Sequence, residues 1–334
     1  MKRMRMQMVV SGAFLLAILL NFAAFSAYAQ KEAPQYPTKG VDIIVAWAPG
    51  GAADVAARLI APYASKKWGH PISVINMPGG SGAIGLQRLI SAKPDGYTLF
   101  MDNHANSPMT GAALPDLPFD WKKRIWIAQI VEDVVFYMVP AGSKWKTLKQ
   151  MVDDLKQNPK AYKWGCAGPT GIGAFAIAQL FSIADINYKE ANMVVFPGGA
   201  PTVANLAGGH VDLAAQQVTE SRGMLDAGKV RALAVVSPRR LADFPDVPTA
   251  KEAGFPRLNI VGWQGVSGPV GLPQYVIDRW VEVSQQAVND PQFQKDAHKV
   301  GKILVFRGPK DFKDHVMKEY EIYKSLVKQM GIVK

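Results

Sequence analysis

From Tyr36 onward, short runs rich in β-branched and aromatic residues alternate with longer stretches whose apolar side chains recur at helical spacing. Residues 41–47 read as a strand, and residues 53–67 as a helix with Val55, Leu59 and Ile60 on one face. A strand at 72–75, a helix at 83–92, the turn Pro94-Asp95-Gly96 and a strand at 97–101 follow. This βαβαβ order predicts a mainly parallel sheet with helices on both faces.

A second series starts near Val134. Strands are expected at 134–139, 162–166, 193–196, 211–215 and 232–236, with helices at 148–157, 174–184 and 202–207 and a further one before the last strand. The pattern turns strand-like again at 258–261, then gives amphipathic helices over 273–289 and 309–330. The final helix lacks enough neighbours to make a domain alone, so the simplest topology returns the chain to the first one. The expected fold class is therefore α/β, with two doubly wound domains joined by two crossing segments near 130–135 and 259–265. Domain one takes residues 30–131 plus 259–334, and domain two residues 132–258.

Composition narrows this further. The chain has 334 residues, 49% hydrophobic and 19% charged, which suits two packed cores and excludes a disordered chain. Its one long apolar run lies at the N-terminus. Lys2, Arg3 and Arg5 precede an apolar stretch over 8–25, and Ala27-Tyr28-Ala29 supplies the small-x-small pattern of a signal-peptidase site. Residues 1–29 therefore read as a signal peptide cleaved after Ala29, giving a periplasmic protein; a retained membrane anchor is the alternative. Gln30, not Cys, stands directly after the cleavage site, so a lipoprotein anchor is excluded. Cleavage lowers the formal charge of +11 by the three basic residues of that segment.

The remaining basic residues are dispersed. Lys144, Lys146, Lys149, Lys156, Lys160 and Lys163 mix with Asp153 and Asp154 as the wet face of a helix, not as a nucleic-acid surface. Cys166 is the sole cysteine, so no intrachain disulfide forms.

Candidate chemistry lies in the glycine turns. Pro49-Gly50-Gly51, Pro78-Gly79-Gly80 and Pro197-Gly198-Gly199 each connect an expected strand to a helix, and Gly168-Pro169-Thr170-Gly171 is of the same kind. In an open parallel sheet such turns gather at the carboxyl edge, where ligands bind. The following helix starts present unpaired N–H groups and a partial positive charge. Each triplet alone is also what a tight turn looks like, but four in corresponding positions predict two loops from each domain gripping a small anion. Asp54, after the first triplet, can pair with Arg58 one helical turn on, and can also order the loop through its backbone N–H groups. Trp47 walls the cleft or caps the core. Asn103 and His104, just past a strand end, can reach the cleft; an exposed loop histidine is the alternative.

Gly80-Ser81-Gly82-Ala83-Ile84-Gly85, with Asp102 ending the next strand, outlines a dinucleotide fingerprint. This gives a rival reading, an exported nicotinamide-dependent oxidoreductase. Against it stand Asn76-Met77-Pro78-Gly79, which lengthen a turn that must be tight, and the lack of an acid–base set. The five histidines form no HExxH pair, and Gly79-Gly80-Ser81-Gly82-Ala83 fails the GxSxG pattern at its last position. The expectation is a protein that is not an enzyme and that carries no cofactor and no metal.

With these loops read, the chain resembles the periplasmic solute-binding proteins of the tripartite tricarboxylate transporter family, the Bug proteins. The marks run in order over the chain from Tyr36 on. They are Ala48-Pro49-Gly50-Gly51-Ala52-Ala53-Asp54 with Arg58, Asn76-Met77-Pro78-Gly79-Gly80-Ser81-Gly82 and Pro94-Asp95-Gly96-Tyr97-Thr98. Later come Ala207-Gly208-Gly209-His210-Val211-Asp212, Val230-Arg231-Ala232-Leu233-Ala234-Val235, Pro245-Asp246-Val247-Pro248-Thr249 and Glu252-Ala253-Gly254-Phe255-Pro256. The resemblance implies a periplasmic-binding-protein clamshell, monomeric, that captures a small carboxylate and delivers it to a two-subunit membrane permease. A ligand-sensing protein of the same fold is an alternative.

It also implies site residues in the loops Pro49, Gly50, Gly51, Ala52 and Ala53 and Gly168, Pro169, Thr170 and Gly171, and in the turn with Phe196 and Gly198; Trp47, Asn103, His104 and Glu220 join the expected site from their places beside these turns. The family pattern has Tyr and Lys near the last turn, where this chain has Phe196-Pro197. Thr219-Glu220-Ser221 places an acid where family members tend to be neutral, and a buried acid there would repel a dicarboxylate.

Overall fold

The structure is a computed structural model, and residues 34–114 and 116–330 are described. The expected signal peptide, residues 1–29, lies outside the described residues. From Pro37 on the chain forms one unit.

Val41, Ile43, Ile44 and Val45 are all buried, which makes β1 (Val41–Val45) an interior strand covered on both faces. Parallel to it run β2 (Ile72–Asn76) on one side and β3 (Thr98–Asn103) on the other. The crossover α1 (Ala52–Trp68) lays Ala53, Ala56, Ala57, Ile60 and Ala64 on the sheet, small side chains that permit close approach. It ends where Gly69 takes a left-handed φ of 72° and returns its N–H to the Ser65 carbonyl. The second crossover is α2 (Ala83–Ile90), and a short α3 (Thr110–Ala113) follows β3.

Beyond β3 the sheet departs from the mainly parallel expectation. β4 (Ile125–Asp133), β10 (Gly262–Gly268) and β11 (Ile303–Arg307) complete a six-stranded mixed sheet in the order β11-β4-β10-β3-β1-β2. β10 runs antiparallel to both β3 and β4. The strand expected at 258–261 falls instead at β10, whose Gly-Trp-Gln-Gly-Val-Ser-Gly sequence is buried throughout and shows no alternation of apolar and polar residues. Its glycines are required by close approach: a Cβ on Gly265 would stand 2.6 Å from the Ala128 carbonyl and 2.7 Å from the Phe312 ring.

The second sheet has the order β7-β6-β8-β5-β9, built from β5 (Val135–Pro140), β6 (Lys163–Ala167), β7 (Asn192–Phe196), β8 (Leu213–Gln217) and β9 (Val230–Val236). β6, β7 and β8 are parallel, and β5 is antiparallel to both of its neighbours. Its helices are α4 (Leu148–Gln157), α5 (Ile172–Ala184), α6 (Gly199–Ala207) and α7 (Val218–Asp226). Thr147 caps α4 by accepting the Gln150 N–H at 3.1 Å. α5 is buried along almost its whole length, as its nearly uniform apolar sequence requires.

Both sheets are joined by tightly placed crossings. β4 ends at Asp133 and β5 starts at Val135, so one residue separates the sheets on the outward passage. On the return, Gly262 pairs with Asp133 at the start of β10. Most of each expected crossing is thus strand. α8 (Gln274–Asn289), α9 (Pro291–Lys299) and α10 (Pro309–Met330) close the fold. α10 buries Phe312 and Val316 with the tryptophans of the first sheet, and Tyr323, Leu326 and Val327 with the core of the second. The rings of Tyr323 and Phe175 meet edge to face at 5.2 Å.

The crossings carry a buried ionic cluster. The Lys302 ammonium, fully shielded, donates to the Asp133 carboxylate, to Gln264 Oε1 at 2.7 Å and to the Ala52 carbonyl at 2.9 Å. Asp133 also accepts from Thr219 Oγ1 at 2.7 Å and Gln217 Nε2 at 3.3 Å. Burial pushes the Asp133 carboxyl up and the Lys302 ammonium down, and their mutual contact with this set of hydrogen bonds opposes both shifts. Lys302→Met leaves Asp133 buried without a counter-charge. It is expected to destabilise the protein by about 3–5 kcal/mol in urea denaturation; a change below about 1 kcal/mol would show that the cluster does not hold the crossings.

Candidate functional site

The turn after β1 and the start of α1 form one wall of a cleft between the two sheets, with Trp47, Ala48, Pro49, Gly51, Ala52 and Ala53 on its surface. Asn103, His104 and Ala105, just beyond β3, extend that wall. From the second sheet come Ala167 at the end of β6 with Gly171 and Ile172 beyond it, Gly198, Gly199, Ala200 and Pro201 after β7, and Gln216 and Gln217 at the end of β8 with Glu220 beyond them. The cleft encloses about 430 Å³ including its mouth. The opposed loops nearly touch: a Cβ on Gly198 would lie 3.5 Å from the Ala48 methyl, and one on Gly50 4.0 Å from the Ala200 methyl.

The glycine loop at α1 is held from behind. Asp54, buried in the first helical turn, accepts the Gly50 N–H at 2.9 Å and takes both carboxylate oxygens to Arg58 Nε at 3.0 Å. Asn76 at the end of β2 donates to Asp54 Oδ1 at 3.0 Å and to the Trp47 carbonyl at 2.9 Å. Burial alone would raise the Asp54 carboxyl; these contacts outweigh it and leave it below the usual carboxylate range. Both roles read from the sequence for Asp54, the ion pair and the ordering of the loop, are present together.

Trp47 likewise does both things expected of it. It lines the cleft and packs against the first core, and its buried Nε1–H has no partner among the described residues. His104 is not an exposed loop residue. It is 2% exposed, and its Nδ1 accepts the Trp263 N–H at 3.0 Å. Burial pushes its pKa down to about 3, with the Lys302 charge adding to this and the Trp263 backbone contact opposing it. Asn103 accepts the Asn106 N–H at 2.9 Å through Oδ1 and faces the same cleft.

Ten of the fifteen expected site residues therefore meet around one space. Gly50, Gly168, Pro169, Thr170 and Phe196 do not line it. Gly50 and Gly168 serve the turns themselves, with left-handed φ values of 78° and 75°. Thr170 is buried against Thr110 at 3.2 Å, and Phe196 packs on the core beneath α6. Pro78-Gly79-Gly80 also stays out, so the first sheet supplies one glycine loop and a strand end where two loops were expected. The glycines around it serve packing instead: a Cβ on Gly82 would meet Asn106 at 2.6 Å, and one on Gly85 would meet Ala46 at 2.9 Å.

Gln216 and Gln217 are the main residues that sequence reasoning missed. Both are buried, and neither Gln216 Oε1 nor Gln216 Nε2 has a partner among the described residues. Their signal was a polar pair closing the apolar run of a strand, as Asn103-His104 does in the first sheet. Glu220 completes the site. Its Oε1 accepts the Ala52 N–H at 3.3 Å across the cleft, and its Oε2 is shielded and unpartnered. The residue as a whole is half-buried, but its carboxyl lies inside, and burial raises it to about 7.

The dinucleotide reading fails on the same geometry. Its acidic residue, Asp102, is fully buried in an ion pair with Arg124 at 2.7 Å and cannot reach a ribose. Among the described residues no three His, Cys, Asp or Glu side chains stand together as metal ligands, and no helix is long and apolar enough to cross a membrane.

Residues 56–332 match the family described as the tripartite tricarboxylate transporter family receptor. A UPF0065 protein of Agrobacterium vitis is 30% identical over 277 residues, 83% of this chain and 79% of that protein. A solved structure described as a periplasmic transporter is 31% identical with a TM-score of 0.83, covering 89% of this chain and 99% of that one. MatC from Rhodopseudomonas palustris, solved with bound malate, is 25% identical with a TM-score of 0.81, over 87% of this chain and 100% of that one. The chain belongs to the tripartite tricarboxylate transporter receptor family, and is a solute-binding receptor and not an enzyme.

Proposed function

We propose that the protein is an exported receptor that captures a small organic acid between its two sheets and hands it to a two-subunit membrane permease. The observation that carries this is the convergence of three helix starts, α1 from one sheet and α5 and α6 from the other, on one cleft lined by Trp47 and Gln216. A helix start offers oriented N–H donors and a partial positive charge, so a carboxylate is held there without a Lys or Arg. The unpartnered Trp47 Nε1–H and Gln216 amide add directional hydrogen bonds. The bound malate of MatC supports the same ligand class.

On this reading the two sheets are the cores of two lobes. They divide near the two crossings, residues 30–131 with 259–334 forming one lobe and 132–258 the other. Closure about the crossings would exclude water from the ligand. The N-terminal segment directs export and is removed, so the periplasmic protein should begin at Gln30. Intact-mass analysis of the exported protein checks this, and a mass retaining residues 1–29 would contradict it.

A thermal-shift panel of L-malate, adipate, benzoate and L-glutamate tests the ligand class. At a hundredfold excess over Kd, a bound acid should stabilise the protein by about 2.7 kcal/mol. Silence from all four would argue against the site. Gly51→Val puts a branched side chain where a Cβ already stands 3.2 Å from the Ala48 carbonyl and 3.7 Å from Glu220. It is expected to weaken calorimetric binding at least tenfold while the circular-dichroism spectrum stays unchanged. Asp54→Ala strips the Gly50 N–H, Arg58 and Asn76 of their common acceptor, and should weaken binding about tenfold through loss of loop order. Unchanged affinity in both variants would remove this loop from the site.

A further inference from the structure

The helix starts that should hold a ligand carboxylate already face one belonging to the protein. Glu220 reaches from the first turn of α7 to the Ala52 N–H at the start of α1. Its carboxyl also presses so closely on Gly199, at the start of α6, that a Cβ there would overlap both oxygens. Nearby, Gln216 is fully buried and presents an unpartnered donor and acceptor to the same cleft. An anion seated between α1 and α6 must therefore meet the Glu220 carboxyl.

We propose that Glu220 is a proton-linked selector: a ligand carboxylate takes its seat between the starts of α1 and α6 only when Glu220 carries a proton, which Oε2–H then donates to that carboxylate. This rests on the cleft being the carboxylate site. Where Glu220 starts ionised, one proton moves from solvent to its carboxylate for each anion bound, forming the O–H, and no other bond is made or broken. Two carboxylates sharing one cavity cannot both stay ionised at low cost, while an acid–carboxylate pair shares a hydrogen bond.

The surroundings favour a neutral acid. Burial is the largest influence and raises Glu220 to about 7, already within reach of ordinary solution pH. From β4, Asp133 raises it further, and Lys302 before β11 opposes that, but these two are consumed by their own ion pair. From α1 only the Ala52 N–H reaches it, since Asp54 is turned to Gly50 and Arg58. His104 beyond β3 is neutral, and β8 contributes the uncharged Gln216 and Gln217. α6 carries no charged residue, and Arg222, two residues along α7, is bound to Asp243.

Isothermal titration of L-malate, adipate, benzoate and L-glutamate at pH 6 and pH 8, in buffers of differing ionisation enthalpy, tests this. A group near pH 7 that must be protonated for binding lowers affinity about tenfold between those values, with one proton taken up per anion at the higher pH. Glu220→Gln places a permanent amide donor in the same shape. It should bind the same acid at pH 8 as tightly as the native protein does at pH 6, with no proton uptake. Native affinity equal at both pH values, or the same fall in Glu220→Gln, would overturn the proposal while leaving the carboxylate site standing. Silence of both proteins toward all four acids at both pH values would overturn the site and this proposal together.

Melting without ligand shows whether the variant is folded and adds an independent readout. Glu220 is raised in the folded state, so its contribution is present below about pH 4.5 and lost as pH rises through about 7. Glu319, buried beneath Trp263, is raised to about 7 as well and titrates in both proteins. The native protein should therefore lose more stability than Glu220→Gln between pH 6 and pH 8. Equal losses would contradict the buried acid.

Discussion

Backbone N–H groups at helix starts can hold an anion only if the chain lets something approach them, and in this protein that approach is secured by glycine and alanine. Gly51-Ala52-Ala53 opens α1, Gly171-Ile172 opens α5 and Gly198-Gly199-Ala200 opens α6. Larger side chains at these positions would fill the space between the sheets. The Asp54–Arg58–Asn76 cluster then fixes the first of these loops from its outer side, leaving its inner amides to the cleft. On the proposed function, recognition rests on main-chain dipoles and a few side-chain donors, with no Lys or Arg among the described residues lining the cleft.

Beneath the cleft, one buried cation ties together the parts that must stay in register. Lys302 bonds the α1 start through Ala52, the outward crossing through Asp133 and the returning strand through Gln264. Asp133 in turn accepts from Thr219 and Gln217, at the junction of β8 and α7. Glu220 extends from that same junction back to Ala52. The loop, both crossings and the acidic helix therefore share one hydrogen-bond network, and a change in the charge of Glu220 is felt at each of them.

Much of this was legible in the sequence, for definite reasons. The parallel strands β1, β2, β3, β6 and β7 are apolar runs set off by helix-period segments, and α4 and α10 match their expected bounds because their amphipathic patterns are strong. β10 was misplaced because its glycines and central Trp263 obey close packing and not strand propensity. β4 and β11 escaped notice, and with them the antiparallel pairings that make the sheet mixed. Glycine marked the turns at Gly51, Gly171 and Gly198, which do line the cleft. The site was missed at Gln216 and Gln217, whose role depends on the strand ending two residues later than expected. Thr170 and Phe196 show the reverse: residues beside the right glycines whose side chains turn into packing.

The central claim is that amides at the starts of α1 and α6, on opposite sheets, take hold of the same anion. Following backbone 15N–1H resonances while titrating L-malate, adipate, benzoate and L-glutamate tests it most directly. The account predicts that Ala52, Ala53, Gly199 and Ala200 shift together and saturate at a single concentration of one of these acids. Shifts confined to one sheet, or lying away from all four residues, would contradict it.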